Sequence, residues 1–266
     1  MPVFFASRLN DPAMQKIVAI AFLGFSLVAS AVYILNDTVD KEWDQKHPRK
    51  RNRPIASGAV PQKTAMITLF LSLISGLVIV SFTGTIPLLL AVCYFLLNLL
   101  YSFWLKHVAI LDVSIIGLCF LIRIYLGGAA TGVVVSNWLT VLTFIIALIL
   151  GLAKRRGEYI IFTEQSSFRK SLEGYNLPFL NASIIICITM AIVAYLMYCF
   201  SPEVTQRIGS DHIYFTSFFV VIGLLRFLQL ALVGERTESP IRLLWEDHFL
   251  QVVLFCWIAN FIYLLY

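Results

Sequence analysis

The chain has 266 residues, of which 59% are hydrophobic and only 13% are charged. A soluble globular domain has about 45–50% apolar and about 25% charged residues. The apolar segments of this chain run from end to end, which excludes a soluble protein with a single membrane anchor. Five scattered cysteines without a CxxC spacing give no indication of a disulfide framework or of redox chemistry. We therefore expect residues 1–266 to form one integral-membrane domain.

The apolar runs predict the fold class. A bilayer core about 30 Å thick requires roughly 20 apolar residues per helix. The runs are continuous and lack the alternation of a membrane β-barrel, so we predict an all-α, polytopic membrane helical bundle. The eight predicted spans are residues 16–36, 63–82, 85–104, 108–128, 138–153, 178–200, 213–233 and 249–266.

Basic residues are concentrated in the loops after the odd-numbered spans, and the intervening loops hold only Arg207. By the positive-inside rule these basic loops face the cytoplasm. The agreement of every loop supports the count of eight spans. The basic residues concerned are Lys41, Lys46, Arg49, Lys50, Arg51, Arg53, Lys106, Lys154, Arg155, Arg156, Arg169, Lys170, Arg236 and Arg242.

The segment NDTVDKEWDQKHPRKRNRPIASG follows the first span and places acids before bases. If the helix continues, Asp37, Asp40 and Asp44 fall at i, i+3 and i+7 on one face. Three stacked carboxylates repel each other unless a cation lies between them. Mg²⁺ takes oxygen ligands and is usually completed by waters and substrate phosphates. The spacing therefore favours a magnesium site over a solvated helix end.

Two interpretations apply to the basic residues that follow. They can be topology signals that contact anionic lipid headgroups. Alternatively, Lys50 and Arg53 bind a phosphate group bridged to the metal, Arg53 through its two-pronged guanidinium. We favour phosphate binding for Lys50 and Arg53, and both interpretations stay open for Arg49 and Arg51.

A second polar cluster, GLAKRRGEYIIF, lies at the end of the fifth span. Lys154 and Glu158 are four residues apart and can share a helix face, with Arg155 beside Lys154. The alternative is a basic helix end with one ion pair. The cluster is predicted on the same side of the membrane as the aspartates, where it would form the opposite wall of a polar cavity. A cationic wall suits an anion held directly rather than a second metal cluster.

Four further residues have possible roles. Tyr175 belongs to FRKSLEGYNLPF, a loop with Arg169 and Lys170 that is expected to cover the cavity. Ionisable residues within spans are costly and are functional candidates by default, which applies to Arg123 and Arg226. Asp112 is interpreted as a helix-start residue.

The first motif resembles the signature of the UbiA superfamily of intramembrane transferases, NDxxDxxxD followed by a basic residue and RPI. The resemblance implies an all-helical fold with nine spans and Mg²⁺ held by aspartates that bind a diphosphate. In that family the motif follows the second span, and residues 1–10 resemble the tail of a first span. We therefore expect the start codon to lie upstream or one helix to be lost. The matching residues are Asn36, Asp37, Asp40, Asp44, Lys50, Arg53, Pro54 and Ile55.

The second motif points to one branch of the superfamily. Most members carry a DxxxD motif where this chain has AKRRGE. In that respect the chain resembles the polyprenyl-phosphate phosphoribosyltransferases, which have KRxxE there. The segments SAVYILND, HPRKRNRPIASG and RxSLxxYN also resemble that branch, and the resemblance covers about residues 18–250.

The resemblance implies transfer of the 5-phosphoribosyl group from phosphoribosyl pyrophosphate to a polyprenyl phosphate in a bacterial or archaeal cytoplasmic membrane, with the active site facing the cytoplasm. It implies Mg²⁺ on Asp37, Asp40 and Asp44, and no nucleic-acid partner. The polyprenol length and the oligomeric state stay open. The implied catalytic residues are Asp37, Asp40, Lys154, Arg155 and Glu158, and the implied substrate-binding residues are Asn36, Lys50, Arg53, Arg123, Arg169 and Tyr175.

Three alternatives remain at this point. An aromatic prenyltransferase of the same superfamily is disfavoured by the cationic KRRGE segment. A transporter for anionic lipids or phosphates also needs basic residues but does not need three aspartates at helical spacing. A structural membrane subunit accounts for the spans and leaves the aspartates unexplained.

Overall fold

The computed structural model describes residues 11–46, 50–165, 170–233 and 240–265, and all regular structure in these ranges is helical. This confirms the predicted all-α class. The described part holds eleven α-helices: α1 (Pro12–Val39), α2 (Lys41–Lys46), α3 (Gln62–Ser81), α4 (Thr85–Phe103), α5 (Leu111–Thr131), α6 (Asn137–Gln165), α7 (Leu177–Phe200), α8 (Pro202–Ile208), α9 (Thr216–Leu232), α10 (Pro240–Glu246) and α11 (His248–Leu265).

Seven segments in the described ranges are long and apolar enough to cross a membrane. They correspond to the first seven predicted spans, so the chain is built as a multi-pass integral membrane protein. The predicted eighth span is a shorter apolar helix, His248–Leu264, and the count of eight is corrected to seven. Large apolar side chains such as Phe82 and Phe255 are exposed, whereas Asp112 and Arg155 are buried. This distribution is expected where the outer surface contacts lipid and charged groups face the interior.

One of two compact units of the chain consists of residues 1–106 and 121–135. Its helix α1 begins at Pro12, where the Asp11 carboxylate accepts hydrogen bonds from the first backbone amides. Buried residues of α1 recur at three- and four-residue intervals and form one packing stripe: Ala21, Gly24, Val28, Ala31 and Leu35. This packing fixes where the end of α1, and with it the acidic motif, lies in the unit.

The second unit consists of residues 107–120 and 136–266. Its core joins α6, α7 and α9 through buried residues such as Ile149, Ile184 and Phe227. Helix α6 continues to Gln165, well beyond the predicted span end at residue 153. Residues 154–156, predicted in a loop, therefore lie within a helix. Arg, Lys and Glu favour helix, and ion pairs one turn apart support it past the apolar run. That residues 1–266 form one integral-membrane domain stays a prediction.

Two glycines allow α1 and α3 to approach closely. A Cβ atom added at Gly76 would lie 2.8 Å from the Gly24 carbonyl oxygen and 2.8 Å from the Val28 backbone nitrogen. Backbone atoms cannot move aside as a side chain can. Small residues at such a contact allow close helix packing in membranes.

We expect Gly76→Ala to lower the midpoint of thermal unfolding in detergent micelles, because overpacking costs about 1–3 kcal/mol. The matched control is Gly223→Ala in α9, where the nearest atom to an added Cβ is a Val253 methyl at 3.4 Å. That control should be neutral or slightly stabilising, since alanine favours helix. An equal fall for both variants would contradict the close contact at Gly76.

Candidate functional site

The acidic motif lies where α1 gives way to α2. Asn36 and Asp37 are in the last turn of α1, Asp40 caps its C-terminus, and Asp44 is in α2. The Asp40 amide donates to the Asn36 carbonyl and the Asp44 amide to the Asp40 carbonyl, both at 2.8 Å. The helical repeat therefore continues across the boundary, as the sequence spacing required.

Asp37 and Asp44 converge on a single guanidinium nitrogen. Arg53 Nη1 lies 2.8 Å from Asp37 Oδ1 and 2.8 Å from Asp44 Oδ2. The Asp44 side chain is 5% exposed, whereas that of Arg53 is 41% exposed. A half-exposed cation therefore neutralises two carboxylates, one of which is buried.

Asn36 and Asp40 bind a different element, the end of α4 and the turn after it. Ser102 Oγ donates a hydrogen bond to Asn36 Oδ1. Lys106 Nζ donates to Asp40 Oδ1 at 2.5 Å, and Lys106 is only 3% exposed. The pattern of basic loops indicated only a topology role for Lys106, and no motif pointed to Ser102. Ser102 and Lys106 are four residues apart, as are Asn36 and Asp40, but this spacing alone does not identify partners 66 residues away.

The prediction that three aspartates share one face needs refinement. At 3.6 residues per turn, Asp37 and Asp44 lie about 20° apart around the axis, and Asn36 and Asp40 about 40° apart. Asp40 is about 60° from Asp37, which is enough to direct it to another neighbour. The structure accordingly gives Asp37 and Asp44 one partner and Asp40 another.

Two carboxylates of the acidic motif, those of Asp37 and Asp44, are placed to hold one cation through oxygen ligands. Within the described ranges, no group of three or more His, Cys, Asp or Glu side chains is arranged to hold a metal ion. Asp37 and Asp44 nevertheless share one cation position, held by Arg53, and carboxylates are ligands that suit Mg²⁺. The role of all three aspartates as metal ligands stays a prediction.

Arg53 is carried by an ordered turn. Its amide donates to the carbonyl of Lys50, and its carbonyl accepts from the Ser57 amide. Ile55 is buried, and Gly58 has a φ of 81°, a left-handed conformation that favours glycine. The RPIASG segment therefore places Arg53 reproducibly. Arg49 lies outside the described residues.

The second unit contains a buried cluster built around Asp112. Arg155 Nε lies 2.9 Å from Asp112 Oδ2, and Arg155 also pairs with Glu158 one turn later. Asp112 is fully buried, and Arg155 is 2% exposed. Interpreting Asp112 as a helix-start residue was incomplete, although its carboxylate does accept from the Val113 amide. Its ion pair depends on a residue far along the chain, which the sequence did not reveal.

Tyr175 joins this cluster from the loop before α7. Its hydroxyl donates to Asp112 Oδ1 at 2.7 Å and accepts from the Ile110 amide at 2.6 Å. Burial, and then the hydrogen bond to Asp112, raise the pKa of the Tyr175 phenol. The phenol therefore stays protonated and remains a donor at neutral pH. Ile110 has a φ of 70°, a conformation that is strained for a β-branched residue.

The KRRGE segment is not a uniform cationic surface. Lys154 is exposed, whereas Arg155 and Arg156 are buried. Arg156 donates to Asn181 Oδ1 and to the Ala231 carbonyl, each at 2.7 Å. Consecutive helix positions point about 100° apart, so the three bases cannot face one way. Of these three, Lys154 alone presents its side chain at the surface.

The arginines predicted from their place within spans have partners inside the protein. Arg123 Nη2 donates to the Tyr94 hydroxyl at 2.7 Å, and its guanidinium lies 5.6 Å from the Phe25 ring centroid. Arg226 pairs with Asp247 at 2.7 Å. A substrate-binding role for Arg123 and Tyr175 stays a prediction. Arg169 lies outside the described residues.

Known proteins resemble this chain in sequence and in fold. Residues 2–156 match the UbiA prenyltransferase family. The decaprenyl-phosphate phosphoribosyltransferase of Mycolicibacterium smegmatis is 32% identical over 251 residues, which cover 91% of this chain and 78% of that protein. The protein of the same description from Corynebacterium glutamicum is 29% identical over 244 residues, covering 91% and 73%. A solved UbiA homolog from Archaeoglobus fulgidus bound to GPP and Mg²⁺ has a TM-score of 0.73 at 14% identity, covers 99% of this chain and 93% of that chain, and shows a shared fold.

We expect Asp112→Asn to lower the unfolding midpoint. The asparagine oxygen can still accept from Val113 and Tyr175, but Arg155 loses one of its two buried carboxylate partners and keeps only Glu158, which should cost part of the about 3–5 kcal/mol of a fully broken buried pair. Asp247→Asn is the matched control, because it removes the same charge from a more exposed pair, worth about 0–1 kcal/mol. Thermal unfolding in micelles measures both variants. A loss for Asp112→Asn no larger than that for the control would contradict this account of the cluster.

Proposed function

We propose that this chain, which belongs to the UbiA prenyltransferase family, transfers the 5-phosphoribosyl group of phosphoribosyl pyrophosphate to a polyprenyl phosphate and releases pyrophosphate. The family match confirms the resemblance noted in the NDxxDxxxD motif. The identity of 32% to a protein described as decaprenyl-phosphate phosphoribosyltransferase supports this reaction over others in the family.

The observation that carries the proposal is the set of ion pairs formed by the second motif. In the AKRRGE segment, Glu158 pairs with Arg155, and Arg155 also pairs with Asp112. Both carboxylates thus form ion pairs with a buried arginine. They therefore do not supply the second acidic, metal-binding motif that aromatic prenyl transfer in this family uses, which favours a reaction with one acidic motif.

The diphosphate of the donor is proposed to bind at the end of α1. Asp37 and Asp44, together with Asp40 as predicted, would hold Mg²⁺, which neutralises negative charge on a departing diphosphate. Arg53 is half exposed and already lies at the cation position between Asp37 and Asp44, so its guanidinium is suited to transfer its hydrogen bonds to phosphate oxygens. Lys50, one turn earlier, would add a second positive charge.

The bond changes balance without a general base. The bond from the ribosyl C1 to the diphosphate oxygen breaks, and its electron pair leaves with pyrophosphate. An oxygen of the polyprenyl phosphate forms the new bond to C1, which passes through oxocarbenium character. The nucleophile is already an anion and has no proton to lose. Charge stabilisation on the leaving group is therefore the main catalytic contribution expected from the protein.

The acceptor phosphate is proposed to interact with Lys154. It is exposed, whereas Arg155 and Arg156 are held inside their unit. We therefore assign Arg155 and Glu158 to holding α6 at the buried Asp112, and Lys154 to the anion. The polyprenyl tail is insoluble in water, which accounts for a sugar transferase built from membrane-spanning helices. Following the positive-inside rule, the basic loops, and with them the site, are proposed to face the cytoplasm.

The direct test uses purified protein in micelles with labelled phosphoribosyl pyrophosphate, polyprenyl phosphate and Mg²⁺. A labelled lipid should form, and EDTA should abolish it until Mg²⁺ is restored. Prenylation of an aromatic acceptor without the labelled lipid would replace this proposal by the prenyltransferase alternative. Movement of an anionic lipid across vesicle membranes without any product would replace it by a transporter.

We expect Arg53→Gln to lower kcat/KM for phosphoribosyl pyrophosphate by about 10²–10³-fold, the usual effect of losing one well-placed donor to developing charge. Arg51→Gln is the matched control, since Arg51 is exposed and lies in the same loop. It removes the same charge and should change kcat/KM by less than about 3-fold, as surface charges contribute little. Equal losses for both would indicate a general charge effect. Initial rates of labelled lipid formation measure the difference.

A further inference from the structure

We infer that Arg156 is a positioning residue of the proposed acceptor site. It fixes the rotation of α6 about its own axis, and this rotation decides whether Lys154 points to the surface, where it can meet the phosphate of the acceptor lipid. This inference rests on the proposed function. It gives a role to a buried residue that the KRxxE pattern leaves unspecified.

The first observation is the pattern of exposure around Lys154. In the stretch of α6 from residue 151 to residue 158, Lys154 is exposed and all the other residues are buried. A helix face turned to the surroundings exposes residues three and four positions apart together, because these residues share a face. Gly151, Gly157 and Glu158 are buried instead. The surface therefore reaches this stretch of α6 at a single residue, and a rotation by one position, about 100°, would bring a buried side chain there.

The second observation is the set of hydrogen bonds that Arg156 donates. Its Nε donates to Asn181 Oδ1 in α7 at 2.7 Å, and its Nη1 and Nη2 donate to the carbonyls of Ala231 and Leu232 at 2.7 and 3.4 Å. These carbonyls belong to the last two residues of α9. Carbonyls at that end of a helix lack intrahelical partners, and the helix dipole favours a cation there. The guanidinium therefore joins α6 to both α7 and α9.

The third observation is that the neighbouring Arg155 is anchored to a different element. Its Nε lies 2.9 Å from Asp112 Oδ2, in the first turn of α5. Consecutive residues of a helix point about 100° apart, so Arg155 and Arg156 leave the axis of α6 in two directions and Lys154 leaves it in a third. Anchors in two directions fix the rotation of a helix, which a single anchor cannot do. Lys154 is consequently held in the remaining direction.

Burial separates Arg156 from the groups that can contact a substrate. Arg156 is 5% exposed, and each nitrogen of its guanidinium donates a hydrogen bond within the protein. A phosphate could reach it only by breaking these bonds, and a buried donor or acceptor that loses its partner is costly. Lys154 is therefore the group that contacts the anion, and Arg156 acts through Lys154.

The test compares Lys154→Gln, Arg156→Gln, Arg156→Lys and the double variant Lys154→Gln/Arg156→Gln in the whole chain. One readout is the pair of KM values for polyprenyl phosphate and for phosphoribosyl pyrophosphate, from initial rates of labelled lipid formation. The other is the midpoint of thermal unfolding in micelles.

Two controls separate a positioning role from loss of charge and from loss of stability. Arg242→Gln removes one positive charge at an exposed arginine of α10, which pairs with Glu246. Tyr195→Phe removes a buried hydroxyl that contacts Thr216 and Trp257 rather than α6. It should lower the unfolding midpoint, and both controls should leave the two KM values unchanged.

Arg156→Gln should raise the KM for polyprenyl phosphate about 10–100-fold, as when a group that orients the ligands of a metal site is removed. It should leave the KM for phosphoribosyl pyrophosphate unchanged. Arg156→Lys keeps the charge but lacks the planar fork of donors, so it should recover part of the loss. The double variant should raise the KM for polyprenyl phosphate no further than Lys154→Gln does, because Arg156 acts only through Lys154. If Arg156→Gln does not fold, Asn181→Ala, which removes one acceptor of Arg156, should give a smaller rise in the same KM.

Three results would overturn the inference while leaving the proposed reaction in place. In the first, Arg156→Gln lowers only the unfolding midpoint, as Tyr195→Phe does, which would make Arg156 purely structural. In the second, it raises both KM values alike, which would indicate a general disturbance of the protein. In the third, the double variant exceeds Lys154→Gln in its KM for polyprenyl phosphate, which would mean that Arg156 acts on the substrate independently of Lys154.

Failure of the proposed function gives a different result. An unchanged KM for polyprenyl phosphate in Lys154→Gln would overturn the proposed acceptor site, and this inference with it, but not the reaction. A wild-type protein that forms no labelled lipid would overturn the proposed function itself.

Discussion

A charge that this chain removes from water has to be matched by an opposite charge or by hydrogen bonds to polar groups. In a bundle whose outer surface is apolar, an unpaired buried ion costs more than most single contacts contribute. Lys106 meets this requirement with Asp40, and Arg155 meets it with Asp112 and Glu158. These pairs fix the end of α1 and the turn of α6 that holds residues 155–158, where the two sequence motifs lie. The positions of the remaining functional groups follow from which charges the pairs leave at the surface.

Exposure then separates groups that hold the site from groups that can act on a ligand. Arg53 is half exposed and bound to two carboxylates, so an incoming diphosphate can compete for its hydrogen bonds. Lys154 is exposed, whereas the neighbouring Arg155 is enclosed. The three consecutive basic residues 154–156 therefore differ in exposure and in the contacts they make. The direction in which each side chain leaves the helix decides whether it is exposed or enclosed.

The sequence predicted most of the fold and singled out most of the polar residues of the candidate site, but not the contacts between them. Continuous apolar runs located seven spans, because length and hydropathy are local properties. The extension of α6 beyond residue 153 was not predicted, because hydropathy alone does not distinguish a charged helical segment from a loop. The contacts of Lys106 and Asp112 were not predicted for another reason: their partners lie far along the chain. The grouping of Asp37 with Asp44 was available from the helical repeat, which separates Asp40 from both by about 40–60°.

The chain has one acidic motif available for a metal rather than two, and this number bears more on the choice of acceptor than the presence of an acidic motif does. One motif, at the end of α1, supplies carboxylates that share an exposed cation position. In the other unit, Asp112 and Glu158 are bound to Arg155 and are unavailable for a metal without breaking a buried ion pair. A neutral aromatic acceptor would need its carbon activated. A phosphate acceptor is already charged and needs a cation to hold it, the role proposed above for Lys154. The change from acidic to basic residues at the second motif therefore matches a change of acceptor from a ring to an anion.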